Sequence, residues 1–264
     1  MVRVAGSHRI ALVVFSTAGS LLVLLLLAPL LAFLRAVDPA ILSSVLSEPA
    51  LLSEAFDSMA RTALAATLSS LTLTGVGIPL AYVLARHEFR LKGLVEALID
   101  IPLMLPHAVA GIMVLSAFGR RGLLGPVLTP LGLNADDTFW GIVAAMMFVS
   151  APIAVDTIRV GIESVDPYLE LVARSLGASS LRAFLTITLP MSARSVATGF
   201  ILSWARAVSE VGAILIVAYY PKTINVLIME WFNMYGLGYA VALALPLVVL
   251  SVALFALVRV VVGR

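Results

Sequence analysis

The 264 residues contain no cysteine, only two lysines (Lys92 and Lys222) and three histidines. Without thiols there is no disulfide framework, thiolate metal centre or cysteine nucleophile. Neither lysine follows a glycine, so the Gly-Lys-Ser/Thr ending of a phosphate-binding loop is missing and the chain is not expected to hydrolyse ATP by itself. His-Glu-x-x-His and Gly-x-Ser-x-Gly are missing too, and three histidines are too few for a metal centre. No catalytic residue, metal ligand or cofactor is therefore expected on this chain. Charge is scarce: 12% of residues are charged, about half the ~25% of an ordinary soluble domain. The formal net charge of +2 reflects a shortage of acids, not a polybasic surface, and nucleic acid is not an expected partner.

Apolar residues take the place of the missing charge. They make up 61% of the chain, and the mean hydropathy is +1.10, which marks an all-α integral membrane protein in a lipid bilayer. A spanning helix needs roughly 20 apolar residues, because ~30 Å of hydrocarbon is crossed at ~1.5 Å per residue. Six stretches qualify: Ile10–Leu34, Ala60–Ala85, Leu94–Phe118, Thr138–Ile158, Ser195–Tyr219 and Leu237–Val258. The first is longer than a signal-peptide core and lacks a small-x-small cleavage site, so it reads as an anchor. The expected fold is one polytopic bundle over residues 1–264, with no internal repeat.

Arg and Lys in short loops mark the cytoplasmic side. With both termini inside, eleven fall inside (Arg3, Arg9, Arg86, Arg90, Lys92, Arg159, Arg174, Arg182, Arg194, Arg259, Arg264) and five outside (Arg35, Arg61, Arg120, Arg121, Lys222). That asymmetry fixes the expected orientation. The longest stretch outside the membrane, residues 159–194, is only 36 residues long, and a folded nucleotide-binding domain needs about 100 or more.

Within that stretch, Asp166-Pro167 is a helix start and Gly177 a stop. Leu169, Val172, Ala173 and Leu176 fall at i, i+3, i+4 and i+7, forming one apolar stripe. The other face carries Glu170 and Arg174 as an i, i+4 pair. Ser179 or Ser180 caps a second segment, in which Leu181, Phe184, Leu185 and Thr188 repeat the spacing up to Leu189-Pro190. The pattern predicts two short helices meeting at a glycine corner, with an exposed knuckle at the membrane surface. An amphipathic hairpin resting on lipid headgroups fits these patterns equally well.

The string Glu170-Leu-Val-Ala-Arg-Ser-Leu-Gly177, followed by Ile187-Thr-Leu-Pro190, resembles the EAA loop of ABC-importer permeases. In that family the loop is a coupling helix that docks in a cleft of a separate ATPase. The resemblance assigns this role to Glu170, Val172, Ala173, Arg174, Gly177, Ala178, Ile187, Leu189 and Pro190. One departure stands out: the family's acid position, six before the glycine, is Leu171, and the acid sits one earlier at Glu170. Asp100-Ile-Pro-Leu-Met-Leu-Pro-His-Ala-Val-Ala-Gly111 and Ser203-Trp-Ala-Arg-Ala-Val-Ser-Glu-Val-Gly-Ala213 are similar to the matching segments of molybdate/tungstate permeases, themselves similar to sulfate permeases.

The resemblance implies a type I importer permease in a prokaryotic inner membrane, passing a tetrahedral oxyanion: molybdate or tungstate first, sulfate second. It implies a homodimer, two cytoplasmic ATPase subunits that hold ATP and Mg, and an extracytoplasmic binding protein. The rival reading is a self-contained intramembrane enzyme or ion-driven carrier using Arg206, Glu210, Asp100 and His107.

Ionisable groups at bilayer depth cost at least ~2.5–3.5 kcal/mol each on insertion scales, so they face protein or water. Arg206 and Glu210 at i, i+4 share a face with Ser203, either as an internal ion pair or as a gate element. An arginine neutralised by Glu210 offers little to a dianion, so Arg206 is not read as a substrate ligand. Asp100-Ile-Pro102 and Leu105-Pro106-His107 predict a bent third span, and His107 is read first as a hydrogen-bonded structural residue. The pathway or gate candidates are therefore Asp100, Pro106, His107, Ser203, Arg206 and Glu210. Trp140, Trp204 and Trp231 with Tyr219-Tyr220 are read as core or interfacial belt, not as ligand contacts. Gly75 and Gly77 are read as helix-packing positions, and Asp136-Asp137 as the end of an outer loop.

Overall fold

A computed structural model describes residues Val2–Val262, with side chains at 12–256 and 259. Of the residues expected on the inner side, Arg264 lies outside the described residues and Arg3 and Arg9 are described in their backbone alone. The chain is helical along its length: α1 (Val2–Arg35), α2 (Pro39–Ser47), α3 (Pro49–Arg86), α4 (Lys92–Met104), α5 (His107–Phe118), α6 (Gly125–Leu128), α7 (Phe139–Glu163), α8 (Pro167–Ser175), α9 (Ser180–Ala183), α10 (Leu189–Met191), α11 (Ala193–Val208), α12 (Gly212–Val217), α13 (Ile224–Tyr235) and α14 (Leu237–Val262).

Among the described residues four helices are long and apolar enough to cross a membrane: α1, α3, α7 and α14. They correspond to the first, second, fourth and sixth expected spans. The other two are not continuous. The third is divided at Leu105-Pro106 into α4 and α5; Pro102 is carried inside α4, and the break falls at Pro106, which disfavours helix at the residue before it. The fifth stops at Val208 and resumes as the six-residue α12. Its lower end turns by 69° from the segment Ser180–Met191.

The centre is built by α3, α7 and α11, with α5 and α12 packed beside them. Helix α7 is the most enclosed crossing: Ile142, Met146, Val149, Ala154 and Ile158 are all buried. Its start is fixed by Thr138, whose Oγ1 accepts the Gly141 amide at 3.1 Å. At its other end Arg159 donates to Glu96 of α4 at 2.7 Å, tying the two helices together. Gly77 meets Val155 and Ile158 of α7, as a packing glycine does, whereas Gly75 faces open space. By contrast, the crossing stretch of α1 buries nothing against the rest of the chain, so lipid or another chain must cover it.

Two helices at the end of the bundle away from the Ser180–Met191 segment were not expected, α2 and α13, each too short to cross. They enclose an apolar cluster of Val45, Ile224, Leu227, Trp231, Ala242 and Leu243. The eleven residues by which α3 begins before the expected Ala60 supply Leu51, Ala55 and Met59 to the same cluster. Lys222 closes this layer through Glu54 at 2.9 Å and Glu230 at 2.8 Å. Burial pulls the Lys222 ammonium down, but the two carboxylates outweigh it and hold it above its ordinary value.

The aromatic residues divide between the two expected places, with Trp140, Tyr219 and Tyr220 exposed. Trp231 is 2% exposed, inside the cluster, and Trp204 donates its indole N–H to Thr67 Oγ1 at 3.0 Å. Both take the core alternative. Asp136 and Asp137 end the loop before α7 and brace it: Asp137 accepts the Tyr219 amide at 3.1 Å, and Asp136 accepts that of Arg120.

Trp231→Ala should lower the unfolding free energy of the detergent-solubilised protein by about 3–5 kcal/mol, as for large aromatic truncations in a core. Trp140→Ala, at a 43% exposed site, should change it by no more than about 0.5 kcal/mol. Thermal unfolding of the two variants side by side checks the pair.

Candidate functional site

Two constellations hold the charged groups that the sequence singled out. The first is the elbow between α7 and α11. Asp166 Oδ1 accepts the Tyr168 amide at 2.9 Å and Pro167 occupies the first turn, which starts α8. Gly177 ends it in the left-handed region at φ +93°, a conformation that glycine adopts without penalty. Of the two serines, Ser179 is the cap, accepting the Arg182 amide at 3.2 Å. A π-helical turn, Phe184–Thr188, leads through α10 into α11.

The expected stripe of Leu169, Val172, Ala173 and Leu176 is there, and it faces outward. Leu176 is 83% exposed, and with Thr186, Ile187 and Pro190 the stripe lines an open groove. Arg174, Gly177 and Pro190 are exposed, while Ala178, Ile187 and Leu189 are half-buried.

Glu170 does not pair with Arg174. It turns inward, buried, and accepts three bonds: Tyr82 Oη at 2.8 Å, Arg86 Nε at 3.0 Å and Thr188 Oγ1 at 2.6 Å. Arg86 also donates to the Val165 carbonyl at 2.7 Å, and the Tyr82 ring lies 4.6 Å from that of Phe184. One carboxylate thus ties both limbs of the elbow to the end of α3. Burial pushes the Glu170 carboxyl up, but the bonds from Thr188, Tyr82 and Arg86 outweigh it and hold it below the usual carboxylate range. Leu171, at the acid position implied by the resemblance, is 55% exposed. Tyr82, Arg86 and Thr188 are partners the sequence reading missed, because they lie 88, 84 and 18 residues from Glu170.

The second constellation sits where both interrupted spans break. Glu210, with no exposed surface, accepts from Arg206 Nη1 at 2.9 Å, His107 Nδ1 at 2.8 Å and the Ala213 amide at 2.8 Å. Asn225, another missed residue, donates to the Val208 and Glu210 carbonyls at 2.6 and 3.1 Å. Those carbonyls lost their helical partners when α11 stopped. Helices α5 and α12 approach backbone to backbone: a Cβ on Gly111 would lie 2.7 Å from the Ala213 oxygen, and one on Gly212 would strike His107. This contact brings His107 onto Glu210.

Of the six pathway candidates, the structure gathers His107, Arg206 and Glu210, with Pro106 beside them at the start of α5. Ser203 turns into the core, bonded to the Phe200 carbonyl at 2.9 Å. Asp100 lies apart, facing Asp156 of α7.

Residues 77–264 match the family described as "Binding-protein-dependent transport system inner membrane component". Over 98% of both chains, the sequence is 43% identical to the molybdate/tungstate transport system permease protein of Pyrococcus abyssi. It is 46% identical to that of Pyrococcus furiosus over 95% of this chain and 94% of the other. A probable sulfate transport system permease protein of Mesostigma viride is 34% identical over 92% and 90% of the two chains. Among solved structures, a chain of a bacterial alginate ABC transporter, crystallised with an alginate pentasaccharide-bound periplasmic protein, shares the fold. It superposes with a TM-score of 0.64 at 17% identity, covering 89% of this chain and 86% of that one.

Arg86→Ala should loosen the elbow by about 3–5 kcal/mol, the cost of leaving a buried ion pair half made. Glu170→Gln, which keeps a hydrogen-bonding oxygen, should cost about 1–3 kcal/mol. Because the folded carboxyl lies below its unfolded value, its contribution is complete above the ordinary glutamate pKa of about 4.3 and is lost as pH falls through the folded value. Amide hydrogen exchange over residues 167–190, followed against pH, reads all three effects.

Proposed function

The chain belongs to the binding-protein-dependent transport inner-membrane family, a set of multi-pass membrane permeases, and we propose that it passes molybdate or tungstate through the membrane, driven by ATP hydrolysis on a separate chain. The observation that carries the cargo is near-full-length similarity, at 43% and 46% identity, to relatives named for those two anions. Sulfate is the second reading, favoured by the 34% identical relative from Mesostigma viride. Family membership sets aside the self-contained enzyme or carrier.

The working unit on this reading is a homodimer of the present chain. Two cytoplasmic ATPase subunits carry ATP and Mg, and an extracytoplasmic binding protein delivers the anion. Both termini and residues 159–194 lie on the cytoplasmic side of a single permease domain. The elbow is the docking element. Its outward stripe of Leu169, Val172 and Leu176 supplies apolar surface for a cleft in the ATPase, and Arg174, Ala178, Ile187, Leu189 and Pro190 border it. Burying one such side chain is worth about 1.5–3 kcal/mol, enough to decide whether a partner stays bound.

Glu170 works from behind the docking face. Held by Arg86 and Tyr82, it makes the elbow move with α3, and α3 is packed along α7 and α11 in the core. A push on the knuckle is thereby passed to the helices that surround the break at Glu210, where the path is gated.

Co-expression with the cognate ATPase tests the docking face. Leu176→Asp should lower co-purified ATPase about ten-fold or more, consistent with losing one buried apolar contact. Gly177→Val, strained by about 1–3 kcal/mol at its positive φ, should lower anion uptake per ATP hydrolysed. Full retention and full uptake in both variants would remove the elbow from the coupling path.

A further inference from the structure

Beside the break lies a cavity of about 410 Å³ whose polar edge is made by Arg206, His107 and Ser209. Its other walls are apolar, with Leu103, Leu105 and Val149 among them. Arg206 and Ser209 also line a second cavity of about 540 Å³ on the α14 side. Arg206 therefore borders both spaces.

The electrostatic arrangement is directional. Glu210 is entirely buried, while the side chains of Arg206 and His107 are 23% and 55% exposed. The carboxylate sits behind and the two nitrogen bases in front. Arg206 gives Glu210 a single nitrogen, Nη1, at 2.9 Å; its Nη2 is 3.4 Å from His107 Nδ1. Its Nε has no hydrogen-bond partner among the described residues, so most of the planar donor fork is uncommitted. Because a carboxylate only accepts, His107 carries its proton on Nδ1, and Nε2 has no partner among the described residues.

We propose that this cavity is a transient station for a tetrahedral oxyanion crossing the permease, with Arg206 and His107 as its contacts and Glu210 as the positioning residue behind them. The proposal rests on the transporter reading above. It revises the view that a neutralised arginine has nothing to offer, because neutralisation here takes one nitrogen of the guanidinium. The remaining fork suits two oxygens of a tetrahedral anion. With a proton on each ring nitrogen, His107 offers Nε2–H as a second donor. Among the described residues no other titratable group lines the cavity. With a neutral imidazole the three side chains sum to zero charge, so the anion is held weakly, and a transport path needs sites that release what they bind.

The test uses the full complex of this chain with its ATPase and binding protein, in proteoliposomes, with tungstate as the probe and the binding protein saturated. Arg206→Lys keeps one N–H for Glu210, as the native pair does, and removes the fork. A packing role leaves uptake unchanged; the station lowers maximal tungstate uptake about ten-fold or more, in line with losing a charge-assisted hydrogen bond. Tungsten anomalous density between Arg206 and His107 is expected in the wild-type complex soaked without binding protein, and should vanish in the variant. Should Arg206→Lys fail to fold, His107→Asn replaces it, since Asn retains a donor for Glu210 and lacks Nε2. Wild-type uptake matched by the variant, or no tungsten at this place at saturating tungstate, overturns the station alone. A wild-type complex that moves no tungstate, molybdate or sulfate overturns the transporter reading instead.

Discussion

Glu210 is a carboxylate with no exposed surface at membrane depth, and most of the molecule's middle is arranged to satisfy it. Hydrocarbon offers no hydrogen-bond partner, so each backbone group freed by a helix break must be met from within the protein. Here the same few residues meet both needs. The α11–α12 break exposes the Ala213 amide, which Glu210 takes, and the Val208 and Glu210 carbonyls, which Asn225 takes. The α4–α5 break at Pro106 delivers His107, which donates to the same carboxylate. Two interruptions that would each be costly alone are joined at one acid. Arg206 supplies the opposite charge from the last turn before the break. Removing any of these donors would leave a buried charge underpaired, a cost of several kcal/mol.

Glu170 repeats this logic at the elbow. Its three donors come from two elements distant in sequence, α3 and the turn before α10. The elbow is thus held on its inner side by charge-assisted bonds and left free on its outer side. A knuckle resting on lipid would need no such clamp. The coupling role proposed above needs one, because displacement is passed on only through a joint stiffer than the load. Helix α3, with 38 residues and so roughly 57 Å at ~1.5 Å per residue, is long enough to carry that displacement across the whole bilayer.

What could be read from the sequence was mostly local chemistry. Asp166-Pro167, Ser179 and Gly177 specify caps and a positive φ through their own side chains or the lack of one, and all three behave as read. Long apolar runs gave four crossings directly. The errors are of another kind. Pairing Glu170 with Arg174 followed helical spacing, but burial beside Arg86 offered a stronger, desolvated partner that no local window contains. The fifth span read as continuous because Ser209-Glu210-Val211 holds no proline. The available signal was a glycine directly after a buried acid, Gly212, whose lack of a Cβ lets His107 approach. Helices α2 and α13 were missed because neither reaches crossing length, so the choice between core and belt for Trp231 could not be made without them.

The exposed side of the elbow is best understood from what it withholds. Leu169, Leu171, Val172 and Leu176 are all at least 38% exposed, on a segment whose polar residues make it unable to enter hydrocarbon. Contiguous apolar surface left in water is unfavourable at roughly 25 cal/mol per Å², and such patches mark interaction sites. The acid position of the resemblance is occupied by Leu171, and the nearby acid has turned inward. On the coupling role proposed for the elbow, docking at this face depends more on apolar contact than on an ion pair through the elbow's own carboxylate. Such an interface loses little to salt, since ionic screening acts on exposed charges, and its orientation is set by the inward clamp rather than by the partner. Stiffness and affinity are in this way assigned to opposite faces of one short helix.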